Sequence, residues 1–132
     1  MSVCETALSK AKVLHIDECE AFFVERKVIT VRITDSEIAE IKQNQERSLA
    51  VRLIHQKRIG SAKTSNLDEI NKVVEDALKS TSLVKPKNYW KSLPSSAKFM
   101  SLEKIYDQRL VDISGVQASD IAQSMINSAM HE

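Results

Sequence analysis

Glycine is nearly absent from this sequence: Gly60 and Gly115 are the two in 132 residues. A loop that cradles phosphate needs several glycines at short spacing, so that backbone N–H groups can approach the anion, and two isolated ones cannot build it. The G-x-S-x-G turn of a hydrolase nucleophile is missing as well. Cysteine is equally scarce, and Cys4 and Cys19 stand far from any CxxC arrangement, which suits a reducing compartment better than a disulfide framework. The three histidines, His15, His55 and His131, are isolated, whereas zinc sites on one helix place two of them three or four residues apart. His131-Glu132 supplies only the first two letters of a zincin-type motif. Apolar runs are short, Ala21-Phe22-Phe23-Val24 being typical, against the roughly 20 residues of a membrane span. No basic stretch followed by an apolar one opens the chain. A cytoplasmic protein without membrane contact is therefore expected. Excess charge is lacking too. With 19 basic and 18 acidic residues, net +1, the chain has no general basic surplus to drive phosphate binding, and no nucleic-acid partner is expected.

What is present suits one globular domain spanning 1–132. Hydrophobic residues make up 42% and charged ones 28%, ordinary values for a chain that builds a core without metal or disulfides. Ser2 and Glu5 have the spacing of a capping box, and Val3, Ala7, Leu8, Ala11 and Leu14 recur at helical period, predicting a helix over about 3–14. Strands are expected between 19 and 64. Cys19–Glu25 and Lys27–Thr34 are β-branched or aromatic and read as a hairpin around Arg26, although neither Gly nor Asn marks a turn there. Ser36–Ser48 supports a capped helix and a strand equally. Leu49–His55 is a strong strand, Gln56-Lys57-Arg58 a polar turn, and Ile59–Thr64 a further strand in which Gly60 signals a bulge or a close backbone contact.

Asn66, with Glu69 three residues on, predicts a capped helix over 67–82 with Leu67, Ile70, Val73, Val74, Ala77 and Leu78 on one face. Both prolines, Pro86 and Pro94, fall within 84–98, an ordered crossing that Tyr89, Trp90 and Leu93 can pin down. Ser114 and Gln117 cap a final helix over about 115–130. Closely spaced strands need hairpin connections, so the class is α+β: an antiparallel four- to five-stranded sheet with helices mainly on one face. The expected core contains Phe22, Val31, Val51, Leu53, Ile70, Val74 and Leu78. Met125, Ile126, Ala129 and Met130 give the last helix more apolar surface than a peripheral one requires.

Residues that could carry chemistry are few. Cys19 with His55 could be a thiol–base pair, but a cysteine beside a strand is far more often packing. Glu18/Glu20 and Glu37/Glu40 lack the apolar setting that tunes a carboxylate pair. Trp90 and Tyr89 could stack a ring, yet anchoring the crossing is the commoner use of such residues. No catalytic, cofactor-binding or metal-binding residue is assigned.

One family pattern does run through the chain. Glu20-Ala21-Phe22-Phe23-Val24-Glu25, then Ile29-Thr30-Val31-Arg32-Ile33-Thr34-Asp35-Ser36-Glu37-Ile38, then Ser48-Leu49-Ala50-Val51-Arg52-Leu53-Ile54, then Lys57-Arg58-Ile59-Gly60-Ser61-Ala62-Lys63-Thr64-Ser65-Asn66-Leu67 resembles, in order, the opening of TldD/PmbA proteins, also called modulators of DNA gyrase. Val51-Arg52 followed by Arg58-Ile59-Gly60-Ser61-Ala62 is the most specific part. Asp35-Ser36 stands where the family commonly has Asp-Gly at the hairpin, and Ser48-Leu49-Ala50 where it has a glycine-rich entry to the fourth strand. The resemblance favours strand over helix for Ile38–Asn44.

The resemblance implies a two-part metallopeptidase whose zinc ligands, two His of an HExxxH helix and a later Cys, lie in a following domain. None of them maps onto this sequence, so zinc is expected only in such a catalytic domain and not in these residues. It also implies a family in which some members lack the zinc motif and act as the inactive partner subunit. The expected partners are the chain's own catalytic domain, a like or paralogous subunit, and the peptide substrate of the full protein. The leading expectation is a non-catalytic N-terminal domain that shapes the peptide channel and dimer contacts. The competing one is a stand-alone protein-interaction module without peptidase activity. A gyrase- or DNA-binding role would rest on the family's name and is opposed by the charge balance.

Overall fold

The computed structural model describes residues 2–94 and 102–131; the end of the expected crossing, 95–98, and the segment 99–101 after it lie outside the described residues. In order come α1 (Val3–Val13), β1 (Glu18–Thr34), β2 (Glu37–His55), β3 (Arg58–Thr64), a 3-10 turn at Leu67–Glu69, α2 (Ile70–Thr81), the short α3 (Gln108–Val111) and α4 (Gly115–Met130). The class is α+β, and the sheet runs β1-β2-β3. Two compact units divide the chain: Met1–Glu25 with Glu46–Ala97, and Arg26–Gln45 with Lys98–Glu132.

Among the described residues the sheet has three strands, not four or five. Cys19–Glu25 and Lys27–Thr34 are halves of one 17-residue strand, and Ile38–Asn44 continues through Leu49–His55 in one 19-residue strand. No hairpin forms at Arg26. The polar run Gln43–Arg47 is strand exposed along its length, so its polarity records solvent rather than a change of direction.

The turns fall elsewhere. Asp35 and Ser36 have φ of 53° and 61°, and Gln56 and Lys57 have 51° and 60°. Two consecutive left-handed residues make the type I′ turn, whose twist matches that of the flanking strands. Here non-glycine residues accept the strain of that conformation, which is why neither turn carries the usual glycine signal.

The side-chain parity of the first hairpin adds a constraint. Cys19, Ala21 and Phe23 of β1 pack on the same core as Leu49, Val51 and Leu53 of β2, so odd-numbered residues of both strands point inward. A two-residue turn at 35–36 pairs Thr34 with Glu37, joining odd to even. Because side chains alternate strictly, one extra residue must enter between the turn and the core, as a β-bulge.

In the first unit, Leu49, Val51 and Leu53 meet Val73, Val74 and Ala77 of α2 and Ala7 and Ala11 of α1. Full burial of each larger side chain contributes about 1.5–3 kcal/mol. Of the expected core, Val51, Leu53 and Val74 are buried, and Ile70 and Leu78 pack at its margin. Val31 is half-buried. Phe22 is 68% exposed, a correction that follows from strand period: of adjacent Phe22 and Phe23, one alone can face the helices.

Local signals explain the helix starts. Ser2 Oγ accepts from Glu5 N at 3.2 Å while the Glu5 carboxylate accepts from Ser2 N at 2.6 Å, a complete capping box. Asn66 Oδ1 instead accepts from Asp68 N at 3.1 Å, and Glu69 makes no capping bond. The expected Asn66–Glu69 box is absent because the entry winds first as a 3-10 turn. Gly60 lies opposite Leu53 in unbroken register, so it is a close contact and not a bulge. A Cβ there would strike the Ala77 carbonyl oxygen, with Thr81 Cγ2 at 2.6 Å and Ser80 Oγ at 2.7 Å.

The crossing is tied down through Glu18. Its carboxylate accepts from Trp90 Nε1 at 2.9 Å and from the Leu93 backbone N–H, while Lys87 N donates to Lys57 O at 2.7 Å. In the second unit, Lys27 Nζ donates to Val111 O at 3.3 Å and Ile113 O at 2.6 Å. That ties α3 and the residues leading into α4 to Lys27 of β1. Ser114 and Gln117 complete the capping box of α4 at 3.2 and 2.9 Å.

Candidate functional site

The groups that could have carried chemistry stay apart. The Cys19 thiol is directed to the Glu20 carbonyl at 3.8 Å, not to an imidazole, and burial, then the neighbouring Glu20 charge, pushes its pKa up. A thiol shifted that way is a poorer nucleophile at neutral pH. His55 is half-buried at the end of β2 with Nδ1 unpartnered among the described residues, His15 is exposed, and His131 caps the end of α4. Glu18 is committed to Trp90 and Leu93, and Glu20 to Arg52 at 2.6 Å. Glu40 pairs with Arg32 at 3.4 Å and Lys42 at 2.9 Å. Among the described residues no three His, Cys, Asp or Glu side chains converge as a metal requires. These residues do not fit a zinc centre. No helix among them is long and apolar enough to cross a membrane.

What the fold builds is surface. In the first unit the sheet face turned away from the core carries Glu20, Phe22, Ala50, Arg52, Ser61 and Lys63, around a shallow groove of about 420 Å³. Phe22 supplies its apolar wall, and the Glu20–Arg52 pair its polar one. The period of two puts Phe22 and Phe23 on opposite faces of the strand, but it does not say which of them faces the core.

In the second unit α4 has two apolar stripes. Ala122 and Ile126 are each 6% exposed and form the inward one. Ile121, Met125 and Ala129, four residues apart in turn, form another and line an open trough of about 570 Å³ with Ser124 and Ser128. Ile121 and Met125 are 54% and 63% exposed. Of the four residues singled out on this helix, Ile126 alone is buried; Met125, Ala129 and Met130 are exposed.

Comparison with known proteins agrees with this architecture. Residues 19–81 match the family model described as PmbA/TldA metallopeptidase domain 1. The fold is that of TldE from Thermococcus kodakarensis, with TM-score 0.83 and 22% identity over 96% of this chain and 28% of that one. It is shared by a Thermotoga maritima protein described as a candidate modulator of a DNA gyrase, with TM-score 0.70 and 18% identity over 90% of this chain and 26% of that one. The chain thus spans about a quarter of the length of these two relatives. No curated protein sequence matches it.

Proposed function

The chain belongs, through residues 19–81, to the TldD/PmbA family as its first domain, and from that premise we propose that it is a non-catalytic domain of a zinc metallopeptidase, shaping the peptide channel and the contacts between subunits. The observation that carries this reading is the second apolar stripe of α4. A helix that only closed its own core would need Ala122 and Ile126 alone, whereas Ile121 and Met125 present to solvent the surface a further domain or subunit would cover. Methionine adapts to such a contact. Catalysis itself belongs to residues outside this chain, and the partners are the catalytic domain and a like or paralogous subunit.

The test uses the chain alone and the chain fused ahead of a TldD/PmbA catalytic half, each with and without Ile121→Glu/Met125→Glu. The chain alone should hydrolyse no peptide. In the fusion the double variant should lower peptide hydrolysis and weaken subunit association by at least roughly tenfold, the scale of losing a buried apolar contact. Unchanged association and hydrolysis, with the fold intact by circular dichroism, would refute the role of this stripe.

A further inference from the structure

The near-neutral total of +1 conceals a local asymmetry in the first unit. The Lys87 N–Lys57 O bond at 2.7 Å joins the β2–β3 turn to the crossing. The Gln56 N–Asp17 Oδ2 bond at 2.6 Å and the Glu18 bonds to Trp90 and Leu93 bring the start of β1 to the same place. Lys57, Arg58, Lys85, Lys87 and Lys91 therefore gather at one end of the unit. Lys57, Lys85 and Lys91 are exposed, and Arg58 and Lys87 are half-buried. None of the five forms a salt bridge among the described residues, although nine other pairs do. The acidic groups facing them, Asp17 and Glu18, are already held by the Gln56 and Leu93 N–H groups and the Trp90 indole. Lys87 contacts instead the Tyr89 ring, 6.0 Å from its centroid.

We propose that this end of the first unit is a docking surface for an acidic segment of a separate protein that also carries apolar side chains. The charge requirement is a surplus of carboxylates, since three cations remain in excess and unneutralised. The apolar requirement comes from Leu83 and Tyr89, 87% and 76% exposed within the cationic segment. Phosphates of a nucleic acid would neutralise the lysines but leave Leu83 in water. A peptide with Glu or Asp beside Phe or Leu satisfies both, and Tyr and Arg are the residue types enriched where proteins meet. This surface is distinct from the α4 stripe, and the inference does not depend on the proposed function.

The intact chain is titrated with a labelled synthetic peptide of mixed Glu and Phe, with a Gln/Phe peptide of the same pattern, and with a single-stranded oligothymidylate. The Glu/Phe peptide should bind and the Gln/Phe peptide should not. Affinity should fall at least roughly tenfold in Lys85→Glu/Lys87→Glu/Lys91→Glu, and less than twofold in Lys72→Glu at the opposite end of α2, the contrast expected of electrostatic complementarity. Leu83→Ser should weaken the peptide several-fold without changing the salt dependence. Equal loss in Lys72→Glu, no binding of the Glu/Phe peptide at low salt, or tighter binding of the oligonucleotide than of the peptide would each overturn the proposal.

Discussion

Replacing Gly60 by alanine tests the packing that holds the first unit together. The added methyl would meet the Ala77 carbonyl oxygen, Thr81 Cγ2 at 2.6 Å and Ser80 Oγ at 2.7 Å. Serine could rotate away, but the carbonyl belongs to α2 itself, so β3 and α2 must separate. Overpacking of this kind costs about 1–3 kcal/mol. Separation also breaks the Ser61 N–Ser80 Oγ bond of 3.0 Å, worth about 0.5–1.5 kcal/mol. Against this stands a gain of about 0.4–1 kcal/mol from a stiffer unfolded chain, available because Gly60 has no positive φ. The balance is a loss of about 1–4 kcal/mol. The lone tryptophan, Trp90, lies in the first unit and reports its unfolding by fluorescence. The urea midpoint should fall by about 0.5–2 M for an ordinary dependence on denaturant. Ser80→Ala, which removes the bond but not the fit, should cost only about 1 kcal/mol. A Gly60→Ala midpoint at or above that of the parent would refute the close approach of β3 and α2.

The turns offer the opposite sign: Ser36→Gly and Lys57→Gly should each stabilise the chain by about 0.5–1.5 kcal/mol, because glycine accepts positive φ without steric cost. Destabilisation of both in thermal melts would refute the turn assignment. The Glu75 carboxyl is held below the usual glutamate range by a hydrogen bond from Lys10 and by its charge, at 2.7 Å. Its contribution is present above the unfolded-state value and is lost as pH falls through the lower folded-state one, so the pH slope of stability in acid should flatten in Glu75→Gln; an unchanged slope would contradict the pair. Cys19, its thiol pushed up by burial, should react with iodoacetamide more slowly at neutral pH than a cysteine in a short peptide, as followed by peptide mass mapping. Faster reaction would mean the thiol is activated.

Where the sequence was informative, one residue type at one spacing had one physical use. Ser2 with Glu5 and Ser114 with Gln117 predict capping boxes that form as read, and Val73, Val74 and Ala77 trace the buried face of α2. Reading failed where one residue has two uses. Gln43–Arg47 is polar as a turn would be, yet it is exposed strand. Asp35-Ser36 and Gln56-Lys57 take the left-handed conformation without glycine, so the β-branched runs alone point to a first hairpin at Arg26. The resemblance placed Asp35-Ser36 at the family's hairpin because it compares positions, and position survives the loss of the glycine.

The candidate surfaces were harder to read for a deeper reason. Helical period separates Met125 from Ile126 and pairs each with the residues four before and four after, so Met125, Ile126, Ala129 and Met130 cannot form one stripe. Period therefore predicts two stripes, 121/125/129 and 122/126, but it does not say which is buried. That choice depends on what the helix meets, and both stripes are apolar enough to be covered. The same holds for Phe22 and Phe23, neighbours of one type with opposite fates. An interface is apolar surface that its own fold does not use, so it becomes visible only when the core has claimed its share. The cations of 57–91 obey the same logic in charge. Twelve acidic and basic side chains of the first unit neutralise one another in six ion pairs, and the cations at one end stand out only once those pairs are known not to include them.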